Sequence, residues 1–200
     1  MSGIPGPGGQ MALAGFAPQA RTDRLFFALF PDRETASRIA GLAADLRARH
    51  GLSGRLIPRE RLHVTLHFLG DHPGLDPALL DAARAAAARV EMAAFDIAFD
   101  QVGSFGGQRR DKPCVLRMAD GDAPVHELWR RLGGSLRREG LGRLLEQRSF
   151  TPHLTVLYDR QAVPLQAAGP VGWRVRDFRL VHSTVGRPAY RCIGGWKLAS

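Results

Sequence analysis

Cysteine, lysine and long apolar runs are what this chain has least of. Its two cysteines, Cys114 and Cys192, form no Cys-x-x-Cys pair and no metal-ligand spacing. That excludes a cysteine metal site and points to a reducing compartment with small buried side chains. No run approaches the ~18 apolar residues that cross a bilayer, so no membrane span is expected. The first residues lack the basic start and apolar core of a signal peptide, which makes the cytoplasm the expected location. There is no His-Glu-x-x-His motif. Only Lys112 and Lys197 are lysines; the rest of the 28 basic residues are Arg. A net charge of +9 and a pI near 11 suggest a polyanionic partner, nucleic acid being the usual one. Arg suits bidentate phosphate contacts better than Lys. Genomic codon bias produces the same skew, so the charge alone is weak support.

What is present reads as one domain behind a leader. Residues 1–22 carry Gly3, Pro5, Gly6, Pro7, Gly8 and Gly9 and read as a disordered leader. Residues 23–200 have ample length for one core. Leu25-Phe26-Phe27-Ala28-Leu29-Phe30 is a short apolar run ended by Pro31, a buried strand. Asp32 can cap the next helix, whose face is Ile39, Leu42, Ala43 and Leu46, closed by Gly51 and Gly54. A second helix starts at Asp76 and Pro77 and runs to Val90. Phe95 to Phe99 and Cys114 to Met118 read as strands around a polar loop rich in Gly and Arg, from Gly103 to Pro113. A third helix starts near Asp122 with Val125, Leu128, Trp129 and Leu132. The chain closes on two strands, over residues 173–185 and 189–198, joined at Gly186-Arg187-Pro188 as a hairpin. Strands and helices mix without strict alternation, which argues α+β with largely antiparallel sheets.

Within this frame one motif occurs twice. Arg61-Leu-His-Val-Thr-Leu-His-Phe-Leu-Gly70 and Phe150-Thr-Pro-His-Leu-Thr-Val-Leu-Tyr158 each hold His-x-Thr followed by an apolar residue. Seven His and six Thr in 200 residues predict roughly 0.2 such pairs by chance. Both copies sit in β-branched apolar runs, where residues i and i+2 share a face. His63 therefore looks out with Thr65, and His153 with Thr155. Each copy lies near the middle of about half the ordered chain. Two similar lobes across a cleft, each giving one His-Thr pair, is the expected arrangement.

A neutral imidazole takes a proton from water, and a protonated one gives a proton to a leaving oxygen. On opposite sides of a phosphorus the two serve an in-line displacement without metal. The hydroxyls of Thr65 and Thr155 can bond the non-bridging oxygens. No carboxylate flanks either histidine within the motifs, which ranks metal binding well below acid-base work.

At these residues the chain resembles the 2H phosphoesterases, closest to the bacterial RNA 2′,3′-cyclic phosphodiesterases, also called the 2′-5′ RNA ligase family. The resemblance runs from about Arg24 to Leu198 and includes the Leu25 strand, both motifs and Trp196-Lys-Leu198. It implies a bilobal α+β fold, two largely antiparallel sheets with outer helices around a central cleft and a pseudo-two-fold. It implies metal-independent hydrolysis of 2′,3′-cyclic phosphate ends of RNA or oligonucleotides to 2′-phosphate, without cofactor, with a minor 2′-5′ ligase activity. His63 would protonate the departing O3′, His153 would activate water, and Thr65 and Thr155 would bind phosphate. Two positions depart from the family. Tyr158 stands where relatives often carry Arg, and His67 where they commonly have Lys. By strand parity His67 shares a face with His63 and Thr65. Tyr158 and His67 are therefore further substrate-binding candidates. The expected partner is an RNA 3′ end, the expected state a monomer. A small cyclic nucleotide is the alternative substrate, and a non-catalytic RNA-end-binding protein the alternative from another class. His182 is a weak further candidate for the cleft.

Overall fold

The structure is a computed structural model and describes residues 22–107, 110–147, 149–187 and 189–200. The leader up to residue 21 lies outside the described residues, as does Pro188 of the expected turn. Among the described residues the elements are β1 (Asp23–Leu29), α1 (Arg33–Arg49), β2 (Arg55–Leu56), β3 (Val64–His72), α2 (Pro77–Ala88), β4 (Phe95–Ser104), β5 (Lys112–Arg117), α3 (Ala123–Arg138), β6 (His153–Asp159), β7 (Gln166–Val175), β8 (Asp177–Thr184) and β9 (Tyr190–Lys197).

The helices form for local reasons that the sequence displays. Asp32 accepts a hydrogen bond from the Thr35 backbone N–H at 2.8 Å and starts α1. Gly51, in the left-handed region at φ 60°, follows its last residues. Asp76 accepts from Ala78 N–H at 2.9 Å and Pro77 opens α2. In α3 the residues Val125, Leu128, Leu132 and Leu136 are fully buried, a stripe at three- and four-residue spacing.

The strands form two antiparallel halves. One runs β7-β4-β5-β6, with the short β2 also on β6; the other runs β3-β1-β8-β9. They join into one continuous sheet through a single ladder position, Val64 with Leu154, between β3 and β6. A pseudo-two-fold relates them: β1, α1 and β3 correspond to β5, α3 and β6. One irregularity recurs in both halves. Phe27 pairs with His67 and the next residue, Ala28, with Thr65, so Leu66 is skipped. Cys114 pairs with Leu157 and Val115 with Thr155, so Val156 is skipped. Each motif strand thus carries one extra residue just past its Thr, a bulge at the same place in both halves.

Alternation along β1 divides its side chains between two faces. Leu25, Phe27 and Leu29 join the main core with Ile39, Leu46, Leu128 and Leu132 of the helices. Phe26 and Ala28 form a separate small cluster with Val181, against Phe30, Phe68 and Tyr190. This second face holds the site.

Residues 173–185, expected as one strand, are two. β7 ends at Val175, paired with Phe95 in one half; β8 begins at Asp177, paired with Lys197 in the other. The chain crosses between the halves at Arg176, and apolar alternation on both sides conceals the break. β4 also runs further than expected, to Ser104.

Candidate active site

The junction of the two halves brings the two motifs together. With Val64 opposite Leu154 in an antiparallel pair, the register sets His63 opposite Thr155 and Thr65 opposite His153. Each imidazole therefore neighbours the hydroxyl of the other motif, and the two imidazoles lie on a diagonal. Diagonal positions in such a pair are about 7–8 Å apart. Val64, Leu66, Leu154 and Val156 alternate with these four and are buried on the other side.

Both rings are held the same way. Nδ1 of His63 lies 2.7 Å from the Arg61 carbonyl oxygen, and Nδ1 of His153 lies 2.7 Å from that of Thr151. A carbonyl only accepts, so Nδ1 carries the proton and Nε2 of the neutral ring is the basic atom. Among the described residues no hydrogen bond engages either Nε2 or either threonine hydroxyl.

The surroundings differ. His63 sits among three aromatic rings: Phe26 at 5.1 Å, Phe30 stacked at 5.8 Å and Tyr190 edge-on at 5.5 Å. Burial drives its pKa down to about 4; the charges of Arg61 and His153 push the same way, while the bond to the Arg61 carbonyl opposes them. His153 meets Phe105 edge-on at 4.8 Å. It too is held below the ordinary imidazole value, first by burial and then by the charge of Arg117. Beside His153 opens a cavity of about 400 Å3, lined by Thr65, Phe105, Ser149 and the stacked pair Trp129 and Phe150.

His67 lines the same cavity but not in the orientation that strand parity suggests. The skipped Leu66 reverses the parity. His67 stands opposite Phe27, a core residue, whereas Thr65 stands opposite Ala28 on the cleft face. Its ring is buried, stacked on Trp129 at 5.3 Å, with Nε2 donating to the Trp129 carbonyl at 2.8 Å. Burial, and then the Arg137 charge, take its pKa to about 4. A Cβ at Gly133 would sit 3.0 Å from this ring, which explains a glycine inside α3. Tyr158 is 44% exposed, its backbone between Pro113 and Arg55. Its pseudo-two-fold counterpart is Phe68.

His182 is not in the cleft. It is buried on Asp23 at 2.7 Å, opposite the core residue Leu25. His50, His72 and His126 are engaged by Gln166, the Leu69 carbonyl and Asp122. Arg61, Arg117, Phe105, Tyr190 and Trp129 surround the motif residues although motif reading alone passed them over. For Arg61 the signal was present, since it precedes His63 by only two residues, in the short turn Arg59–Arg61 that leads into β3. Among the described residues no three His, Cys, Asp or Glu side chains gather as a metal site requires.

A family model described as the 2'-5' RNA ligase superfamily matches residues 31–187. The fold matches the crystal structure of E. coli LigT complexed with 3'-AMP, with a TM-score of 0.71 and 26% identity over 90% of this chain and 99% of that one. A crystal structure of a phosphoesterase matches equally, with TM-score 0.71 and 26% identity over 89% and 99%. TT0787 of Thermus thermophilus gives TM-score 0.66 and 25% identity over 87% and 97%. No curated protein matches the chain in sequence. The family match over most of the chain, on a fold shared with these proteins, means that this chain belongs to the 2'-5' RNA ligase superfamily of phosphoesterases.

Proposed function

We propose that the chain hydrolyses 2′,3′-cyclic phosphate ends of RNA to 2′-phosphate, using His63 and His153 as the acid-base pair and no metal. The observation that carries this reading is the crossed pairing of the motifs: two imidazoles on a diagonal, each with its Nδ1 committed to a carbonyl. Water attacks phosphorus from one side and loses a proton to Nε2 of His153. The P–O3′ bond breaks on the other side, and O3′ takes the proton from Nε2 of His63. Thr65 and Thr155 donate hydrogen bonds to the non-bridging oxygens, where charge builds up in the transition state. The depressed pKa of His63 requires that the bound phosphate anion recharge it, since a nearby negative charge favours the imidazolium.

The choice of RNA over a small cyclic nucleotide rests on what adjoins His63. Beyond Phe30 lie two neighbouring cavities of about 380 and 270 Å3 that share Phe30, Pro31 and Arg179. Arg33 and Arg59 line one beside Glu60, and Arg174 and Arg176 line the other beside Asp32 and Asp177. Such a groove suits a chain of phosphates, whose binding weakens with salt. On the far side, the cavity by His153 has aromatic walls on which a base can stack. LigT has been solved with 3'-AMP, a nucleotide that carries a 3'-phosphate. Ligation of a cyclic phosphate to a 5′-hydroxyl is the reverse of related chemistry and is expected to be minor.

The test is incubation of purified protein, with EDTA, with an oligonucleotide ending in 2′,3′-cyclic phosphate. Conversion to the 2′-phosphate is expected, faster than for a cyclic mononucleotide. Equal kcat/KM for both substrates favours the small-nucleotide reading. Binding without turnover, unchanged in His63→Ala, favours the non-catalytic one.

A further inference from the structure

Each motif histidine belongs to a trio that the pseudo-two-fold does not generate. The Arg61 guanidinium lies over the ring of Tyr190, 4.6 Å from its centroid, and Nη2 donates to the tyrosine hydroxyl at 3.2 Å. The same Tyr190 ring meets His63 edge-on. The Arg117 guanidinium lies over Phe105 at 5.7 Å, and Phe105 meets His153 edge-on. Arg61 precedes its histidine by two residues, whereas Arg117 stands opposite its histidine on the neighbouring strand. Tyr190 opens β9; Phe105 follows β4. Different elements have assembled the same arrangement of arginine, aromatic ring and histidine on both sides of the cleft.

These two arginines also stand apart from those held in ion pairs. Arg24, Arg89, Arg174 and Arg179 each reach a carboxylate. Among the described residues no carboxylate pairs with Arg61 or Arg117. In both, Nε is buried and, among the described residues, makes no hydrogen bond. A buried cationic donor without an acceptor is costly, and a native fold that keeps two of them at one site calls for a specific reason. Aromatic stacking fixes the planes of both guanidinium groups, so that their remaining N–H groups are preorganised. Both cations are near enough to disfavour the charged form of their own histidine.

We propose that Arg61 and Arg117 are an anion clamp, each turning a guanidinium Nη–H toward a non-bridging oxygen of the phosphate between His63 and His153. This rests on the hydrolase reading and deepens it. A phosphodiester has two non-bridging oxygens, and the clamp offers one guanidinium to each. The charge that spreads onto these oxygens in the transition state meets two fixed cations, and the product, a phosphomonoester, is held as well. The ligand class is therefore a phosphate anion, and inorganic phosphate is its simplest probe.

The experiment titrates inorganic phosphate calorimetrically into the full chain and into Arg61→Met, Arg117→Met, Arg61→Lys and Arg117→Lys, with Tm measured for each. Each Met variant is expected to bind phosphate roughly 10- to 100-fold more weakly, the loss of one charge-assisted hydrogen bond. Its Tm is expected to hold or rise, because a buried unpaired donor has gone. Lys, a point charge without the planar fork, should recover only part of the affinity. Phosphate affinity within twofold of wild type in both Met variants overturns the clamp, as does a wild type that binds no phosphate. A fall in Tm of several degrees in both Met variants, repaired together with affinity by Lys, assigns the arginines to packing and overturns it too. The titration needs no turnover. A wild type that binds phosphate yet leaves cyclic ends uncut therefore sinks the hydrolase reading alone.

Discussion

The His63 half and the His153 half share a backbone and differ in what that backbone surrounds. Both motif strands carry the same bulge at the same place, and both rings donate from Nδ1 to the carbonyl two residues back at 2.7 Å. Yet His63 is boxed in by Phe26, Phe30 and Tyr190, while His153 opens onto a cavity and meets one aromatic ring, Phe105. The symmetry fixes where the imidazoles stand; the asymmetric neighbours decide how readily each takes a proton.

The sharpest way to break this comparison is to remove each ring. His63→Ala and His153→Ala should each cost on the order of 10²–10⁴-fold in kcat/KM, the range for a lost general acid or base. The double variant should fall far short of the product of the two losses, because the pair acts as a unit. EDTA should leave the rate unchanged. A substrate with sulfur in place of O3′ separates the roles, since a thiolate leaves without being protonated. His63→Ala should regain most of its rate on that substrate and His153→Ala should not. The opposite pattern exchanges the acid and the base between the halves.

pH sharpens the same contrast. For kcat/KM the limbs report the free protein, where both rings are held down; for kcat they report the complex, where bound phosphate raises them. The kcat bell should therefore lie at higher pH than the kcat/KM bell, and coincident bells would mean that phosphate does not touch the pair. Stability has its own dependence. His67 is buried and neutral, with its pKa at about 4 against 6.5 in the unfolded chain. The unfolded chain binds the extra proton between these values, so stability is full above 6.5 and is lost as pH falls toward 4. The shift corresponds to about 3 kcal/mol for this buried ring. Unfolding in urea at pH 7.5 and pH 4 should show a smaller loss for His67→Gln than for wild type.

Much of this was legible in the residues. Asp32 and Asp76 mark helix starts because a carboxylate ahead of an apolar periodicity has few other uses, and both do cap. The paired His-x-Thr runs located the junction between the halves. The orientation of His67 was not legible, because a bulge is a property of the pairing between two strands and leaves no mark on one. The break at Arg176 was hidden for a similar reason: β7 and β8 are each apolar enough to read on as one strand. Arg117 reaches His153 only through the β5–β6 register, so no local spacing announces it.

The threonines test whether the crossed pairing matters. Thr65→Ala and Thr155→Ala should each cost roughly 10-fold in kcat/KM, about one hydrogen bond, with the proton path left in place. Because each hydroxyl neighbours the histidine of the other motif, the loss should fall mainly on kcat. A loss in KM alone would make these hydroxyls ground-state contacts.

Tyr158 and Phe68 offer the mildest break of the symmetry. They occupy matching positions five residues after the two motif histidines, and neither offers a cation. Arg24 lies over the Phe68 ring at 5.5 Å and within electrostatic reach of Tyr158, with its guanidinium already held by Asp71 at 2.8 Å. Tyr158 thus offers one neutral hydroxyl near a cation that is itself engaged. A neutral hydrogen bond is weaker than a charged one, so Tyr158→Phe should raise KM by no more than a few-fold. Tyr158→Arg adds a charged fork for phosphate but sets it near Arg24, and the two cations repel. Its gain should therefore be a lowering of KM by less than about 10-fold, with kcat nearly unchanged, and it should shrink as salt screens both effects. If both variants match wild type in KM, Tyr158 only closes the end of its strand.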